Sequence, residues 1–168
     1  MSAIDLHLAL LTGGWALHLV FVAYVVTGTG GGLLAALRRR ADEPPGPVER
    51  AAADWLPAAL SGAITAGVVP LLFVQTLHPQ AFYTASILLL WRALPLLPAL
   101  VLGFYLLYVV KVRPEPRRRA AAAAVSLLCW VFAAFTWTSI HVLSGRGEDW
   151  VPAYTQAPHE WSAPGLGW

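Results

Sequence analysis

The sequence predicts an all-α integral membrane protein in which a bundle of four helices crosses the bilayer. Its 168 residues are 58% hydrophobic and only 12% charged, with a mean hydropathy of +0.62, which is outside the range of soluble domains. Four apolar stretches also reach the roughly 20 residues that a helix needs to cross a hydrocarbon core about 30 Å thick. Composition and span length together therefore define the class.

The four predicted spans follow one another within a single membrane domain, residues 1–143. They are residues 6–37, 56–77, 81–110 and 120–143. Three of them contain no Asp, Glu, Lys or Arg. A cleaved signal peptide is the alternative for the first stretch, but it requires a basic segment ahead of a shorter apolar core. Because Asp5 is the only early charge, we interpret the first stretch as a membrane span.

The third span contains Arg92, the one charge inside any of the four spans. Pro95 and Pro98 follow it, and each of them removes a backbone N–H from the helix. We therefore expect a kink in the third span just below Arg92.

Orientation follows from the distribution of positive charge. Nine of the eleven Lys and Arg residues lie between spans one and two or between spans three and four: Arg38, Arg39, Arg40, Arg50, Lys111, Arg113, Arg117, Arg118 and Arg119. Short loops rich in Lys and Arg stay in the cytoplasm. This pattern predicts that both chain ends lie on the outer, periplasmic face of a bacterial inner membrane.

The tail, residues 144–168, is rich in aromatic residues, prolines and glycines. Its aromatic residues are Trp150, Tyr154, Trp161 and Trp168. A segment of this size is too small to fold alone, but its aromatic side chains suit an extended contact with a partner protein. We expect an extended periplasmic tail that lies across another subunit.

Several function classes are not supported. The single cysteine, Cys129, excludes a disulfide framework and a cysteine-ligated cluster. No phosphate-binding loop or metalloprotease motif is present, and no acidic residue lies in a span to carry protons. Nucleic-acid binding is not predicted, because the basic residues belong to the cytoplasmic loops.

Four histidines fall in the outer half of the predicted bundle: His7, His18, His78 and His141. Axial imidazoles from facing helices at similar depth are what a b-type haem requires. His18 and His141 are the predicted pair, with His78 in reserve, and Gly14 and Trp137 would supply ring clearance and an apolar wall. The alternative is a hydrogen bond to backbone or headgroups, which we favour for His7, His78 and His159 and leave open for His18 and His141.

Arg92 requires an anion or a carbonyl oxygen, because a cation deep in a bilayer is costly. A haem propionate or a quinone oxygen would serve, with Gln75 of the second span as a neutral hydrogen-bonding partner at similar depth. Snorkelling to the interface, or an ion pair with a neighbouring subunit, is the alternative.

Two stretches resemble known proteins: LHLVFVAYVVTG, residues 17–28, and GVVPLLFVQTLHPQAFYTAS, residues 67–86. They resemble the first helices of subunit I of cytochrome bd-type quinol oxidases, and the small membrane subunits that accompany multihaem cytochromes c. The resemblance implies that His18 ligates a haem near the outer face. The chain departs from the oxidase pattern in having only Met1 and no glutamate within a span, so the resemblance does not extend to oxygen reduction.

These observations lead to two hypotheses. The first is a cytochrome b-like or quinone-site subunit of a respiratory or photosynthetic complex that passes quinol electrons to a periplasmic cytochrome c. The second is a cofactor-free scaffold subunit of such a complex, held to other membrane subunits by its helices and tail. A small transporter is disfavoured, because the chain has no internal repeat.

Overall fold

The structure is a computed structural model that describes residues 3–38, 44–112 and 115–156. These residues form seven α-helices and one 3₁₀ turn, and no strand occurs among them. The helices are α1 (Ala3–Arg38), α2 (Pro47–Leu77), α3 (Pro79–Leu88), α4 (Leu90–Ala93), α5 (Leu96–Val112), α6 (Pro116–Ser144) and α7 (Trp150–Gln156). The prediction of an all-α fold is confirmed.

Four stretches of helix are long and apolar enough to cross a membrane. They are Asp5–Arg38, Pro47–Leu77, Leu90–Val112 and Pro116–Ser144. Each contains the corresponding predicted span or most of it, so the chain has the helices of a multi-pass membrane protein in contact with lipid.

The third span is interrupted twice around Arg92. Leu94 and Pro95 separate α4 from α5, which is where the prolines predicted a kink. A second interruption at Leu89, between α3 and α4, was not predicted. At this point the Arg92 amide bonds to the Leu89 carbonyl at 2.9 Å, a tighter spacing than in an α-helix. Arg92 therefore lies in a four-residue helix with a break in the helical structure on either side.

The helices pack as antiparallel neighbours, α1 on α2 and α5 on α6, with α1 also in contact with α6. The main core cluster joins all four long helices and consists of Val25, Leu56, Ala59, Leu60, Ala63, Leu107 and Trp130. Cys129, beside Trp130 on α6, is also buried. This core lies midway along the bundle.

Ion pairs join the helices at the end where the sequence places the cytoplasmic loops. Glu49 of α2 pairs with Arg119 of α6 at 3.6 Å, and both side chains are largely buried. Asp54 of α2 pairs with Lys111 of α5, also at 3.6 Å. We call this end of the bundle, which holds the first turns of α2 and α6, the basic end.

The opposite end is closed by aromatic side chains. After α6 the chain makes a 3₁₀ turn, Gly147–Asp149, and enters α7. The Trp150 indole donates to the Leu143 carbonyl at 2.8 Å and packs against a cluster that includes Phe82. The first part of the tail is therefore helical rather than extended as predicted. Trp161, Trp168 and His159 lie outside the described residues.

Candidate functional site

Arg92 is fully enclosed, with 2% of its surface exposed. Its Nη2 donates to the Ser139 hydroxyl oxygen at 2.8 Å and to the Phe135 carbonyl at 3.4 Å. The guanidinium carbon lies 4.1 Å from the centre of the Phe135 ring, in cation–π geometry. Ser139 in turn donates to the Phe135 carbonyl at 2.8 Å. The cation is thus bound by one turn of α6.

These contacts provide the carbonyl oxygen that Arg92 was predicted to require. The side chain does not snorkel to the interface, because it is buried against α6. A carbonyl, a hydroxyl and an aromatic face offset the cost of a cation in the membrane. Gln75 is half-buried on α2, and its predicted role beside Arg92 stays a prediction.

His18 joins α1 to α2. Its Nδ1 lies 2.8 Å from the Ala63 carbonyl oxygen, and because a carbonyl oxygen only accepts, this nitrogen donates the hydrogen bond. The ring fills the notch at Gly67, where an added Cβ would lie 2.8 Å from two ring atoms. Trp15 meets the ring edge-on with centres 6.0 Å apart. The half-buried imidazole therefore acts in helix packing.

The other residues of the predicted haem site lie either exposed near helix ends or packed against neighbouring side chains. His141 is exposed near the end of α6, and His78 is exposed between α2 and α3. The space expected at Gly14 is taken by Val69, whose Cγ1 would be 2.9 Å from an added Cβ. Trp137 packs against Phe82 with ring centres 6.0 Å apart.

In this structure His18 contacts α2, and His141 is exposed near the end of α6. The Ala63 carbonyl engages one imidazole nitrogen of His18, and the ring itself fills the Gly67 notch on α2. Within the described ranges, no group of three or more His, Cys, Asp or Glu side chains could hold a metal ion. Axial ligation by this pair stays a prediction.

A groove between α1 and α2, at the end of the bundle opposite the basic end, was missed by the sequence analysis. Its volume is about 250 Å³, and it is lined by His7, Leu72, Phe73, Thr76 and Leu77. His7 meets the Phe73 ring edge-on at 5.9 Å. This volume is below the roughly 300–1,000 Å³ of most small-molecule sites. Pro70 lies inside α2 one turn before Phe73, and α2 continues through it without a break.

Searches against protein-family models, curated proteins and solved structures find no match to this chain.

Proposed function

We propose that this chain is a structural subunit of a membrane electron-transfer complex, and that the cytoplasmic turns of α1 dock on another subunit. The observation that carries the proposal is the excess length of exposed apolar helix in α1. The candidate span Asp5–Arg38 has 34 residues, and only 6% of its most apolar window is buried in the chain. The corresponding share is 33% for both α2 and α6.

The length of α1 exceeds what a bilayer can cover. A helix of 34 residues is about 51 Å long, against a hydrocarbon core of about 30 Å. A tilt of about 40°, the upper end of the usual range, still leaves it about 39 Å tall. Several residues of this apolar helix therefore lie outside the hydrocarbon layer at any usual tilt.

The helix register indicates which residues these are. Gly28 faces Leu56, and α1 and α2 run antiparallel, so the residues after Gly28 lie level with the charged first turns of α2. Leu34 and Leu37 are 54% and 69% exposed there. Exposed leucines at the level of the Asp54–Lys111 and Glu49–Arg119 ion pairs favour contact with another protein chain.

The polar interior supports a structural role. The two basic groups deep in the bundle, Arg92 and His18, both bind backbone of the neighbouring helix. Groups used in this way hold helices together and are less available to a cofactor.

The electron-transfer context rests on the resemblance of residues 17–28 and 67–86 to quinol-oxidising membrane subunits. With it come the proposed location in a bacterial inner membrane, the periplasmic position of both ends, and a periplasmic cytochrome c among the partners.

The test of docking is copurification from the native membrane. In the double variant Leu34→Glu, Leu37→Glu, we expect the chain to remain in the membrane and to lose its partner subunits. The matched control is Val48→Glu, because Val48 is 81% exposed on α2, at the same end of the bundle as Leu34 and Leu37. Undiminished copurification of the double variant, or equal loss in the control, would contradict the proposal.

The test of a structural role is a reduced-minus-oxidised spectrum with haem quantification on the purified chain. A structural subunit contains no haem. A b-type signal that disappears in both His18→Ala and His141→Ala would instead establish the predicted haem pair and overturn the structural role.

A second candidate function, quinone binding, is favoured by the groove at His7. An imidazole beside an aromatic ring, in a groove at the outer end of the bundle, suits a quinol headgroup that arrives from the lipid. Crosslinking by an azido-quinone to the peptide that contains Phe73, and its loss in His7→Leu, would support this function. Unchanged labelling in that variant would exclude it.

A further inference from the structure

We infer that the basic end of the bundle binds the phosphate of an anionic phospholipid between the first turns of α2 and α6. This binding site is additional to the docking surface on α1 and does not depend on the proposed function. It rests on the way in which one buried ion pair positions several exposed arginines.

The Glu49–Arg119 ion pair joins the two helices at this surface. The two side chains are only 13% and 14% exposed, and they join the first turns of α2 and α6. Arg50 follows Glu49 in the chain, and Arg117 and Arg118 precede Arg119. The pair therefore holds the first turns of two helices that both bear exposed arginines.

The arginines at this surface outweigh the acidic groups near them. Glu49 is occupied by Arg119, and Glu115 lies 3.9 Å from Arg118 in a pair whose side chains are 50% and 67% exposed. An exposed pair of this kind contributes little free energy and exchanges readily for a stronger anion. Arg50 is exposed as well, and helix periodicity places Arg50 and Arg118 beside the buried pair, each one position from it. The surface thus offers two guanidinium groups to an anion of the surrounding membrane.

The helix ends add to this charge. Both α2 and α6 begin here with a proline in the first turn and no side-chain cap, so their partial positive charge faces the same region. Guanidinium groups bind phosphate through two parallel N–H donors. A phospholipid headgroup is the phosphate that a membrane places at this depth, beside the ends of the apolar helices.

The experiment counts lipid bound to the full-length chain by native mass spectrometry in detergent. Dioleoyl phosphatidylglycerol is compared with dioleoyl phosphatidylcholine. We expect preferential binding of the anionic lipid that weakens as salt is raised. Each arginine near a membrane surface contributes a factor of about five in affinity, so Arg50→Gln with Arg118→Gln should weaken binding by about 25-fold.

Arg146→Gln is the matched control, because Arg146 is a partly exposed arginine in the tail beyond α6, paired with Asp149 at 3.7 Å. It should leave lipid binding unchanged. The double lysine variant at positions 50 and 118 keeps the charge and should retain most of the affinity. Equal binding of the two lipids, an unchanged double glutamine variant, or full displacement by inorganic phosphate would overturn the inference. None of these outcomes bears on α1 docking, which depends on Leu34 and Leu37.

Discussion

The helix pairs α1–α2 and α5–α6 pack through the same kinds of contact, but their hydrogen-bond donors differ. In each pair an aromatic ring fills a notch at a glycine of the opposite helix, His18 at Gly67 in one and Trp130 at Gly103 in the other. In each pair a side chain also hydrogen-bonds to a carbonyl of the opposite helix. His18 bonds to Ala63, and Ser126 donates to Gly103 at 3.2 Å.

The pairs differ in charge. The third span and α6 also share Arg92, a permanent cation that is almost completely enclosed, whereas the α1–α2 pair relies on an imidazole that is only half-buried. A guanidinium requires enclosure and several acceptors. The comparison teaches that a permanent charge leads to a more completely buried contact.

The glycine notches should give the largest effects. In Gly103→Ala the new methyl group would lie 2.7–3.0 Å from three atoms of the buried Trp130 ring. We expect a loss of about 1–3 kcal/mol in the free energy of unfolding in mixed micelles. Gly67→Ala should cost less, because the half-buried His18 ring can shift.

Gly13→Ala is the control for both notches, since no heavy atom lies within 4 Å of the added Cβ. It should be neutral or stabilising by up to about 1 kcal/mol, because alanine favours helix over glycine. Equal losses in Gly103→Ala and Gly13→Ala would show that the notch is not a tight contact.

The Arg92 contact should come next. Ser139→Ala removes the acceptor that lies 2.8 Å from the guanidinium, and we expect a loss of about 1–2 kcal/mol in unfolding free energy. Ser86→Ala is the control, because its hydroxyl bonds to Phe82 of the same helix. If the two variants lose the same stability, Ser139 contributes nothing specific to Arg92.

The smallest effect is expected at His18. His18→Phe keeps a ring in the Gly67 notch but removes the bond to Ala63, so the loss should be about 0.5–1.5 kcal/mol. His18→Ala removes the ring as well and should cost more. Thermal unfolding of both variants measures the difference, and equal losses would show that the ring makes no packing contribution.

Much of the fold could be predicted because a bilayer imposes a simple rule. Spans must be long, apolar and helical, so hydropathy predicts them, and Pro95 predicted one interruption. Nothing in the sequence indicates the second interruption at Leu89. The tail, residues 144–168, was predicted to be extended, yet its first part is a turn followed by a short helix that Trp150 anchors.

The sites could not be predicted to the same degree, because a uniformly apolar helix does not indicate which face meets a neighbour. His18 could have faced α6 as well as α2, and only the packed structure places it against Ala63 and Gly67. The partners of Arg92 on α6 lie 43 and 47 positions away in the chain. The depth of a residue in the membrane follows from the local sequence. The neighbouring helix that its side chain faces depends on how the helices pack.

Cys129, the only sulfhydryl group of the chain, is 9% exposed and lies in the middle of α6. A maleimide or disulfide reagent can reach it only when α6 separates from its neighbours, so the labelling rate reports that opening. The native chain thus contains its own kinetic probe. A second cysteine introduced at a water-exposed position outside the spans would react quickly, so the two rates could be resolved in one sample without removing the natural residue.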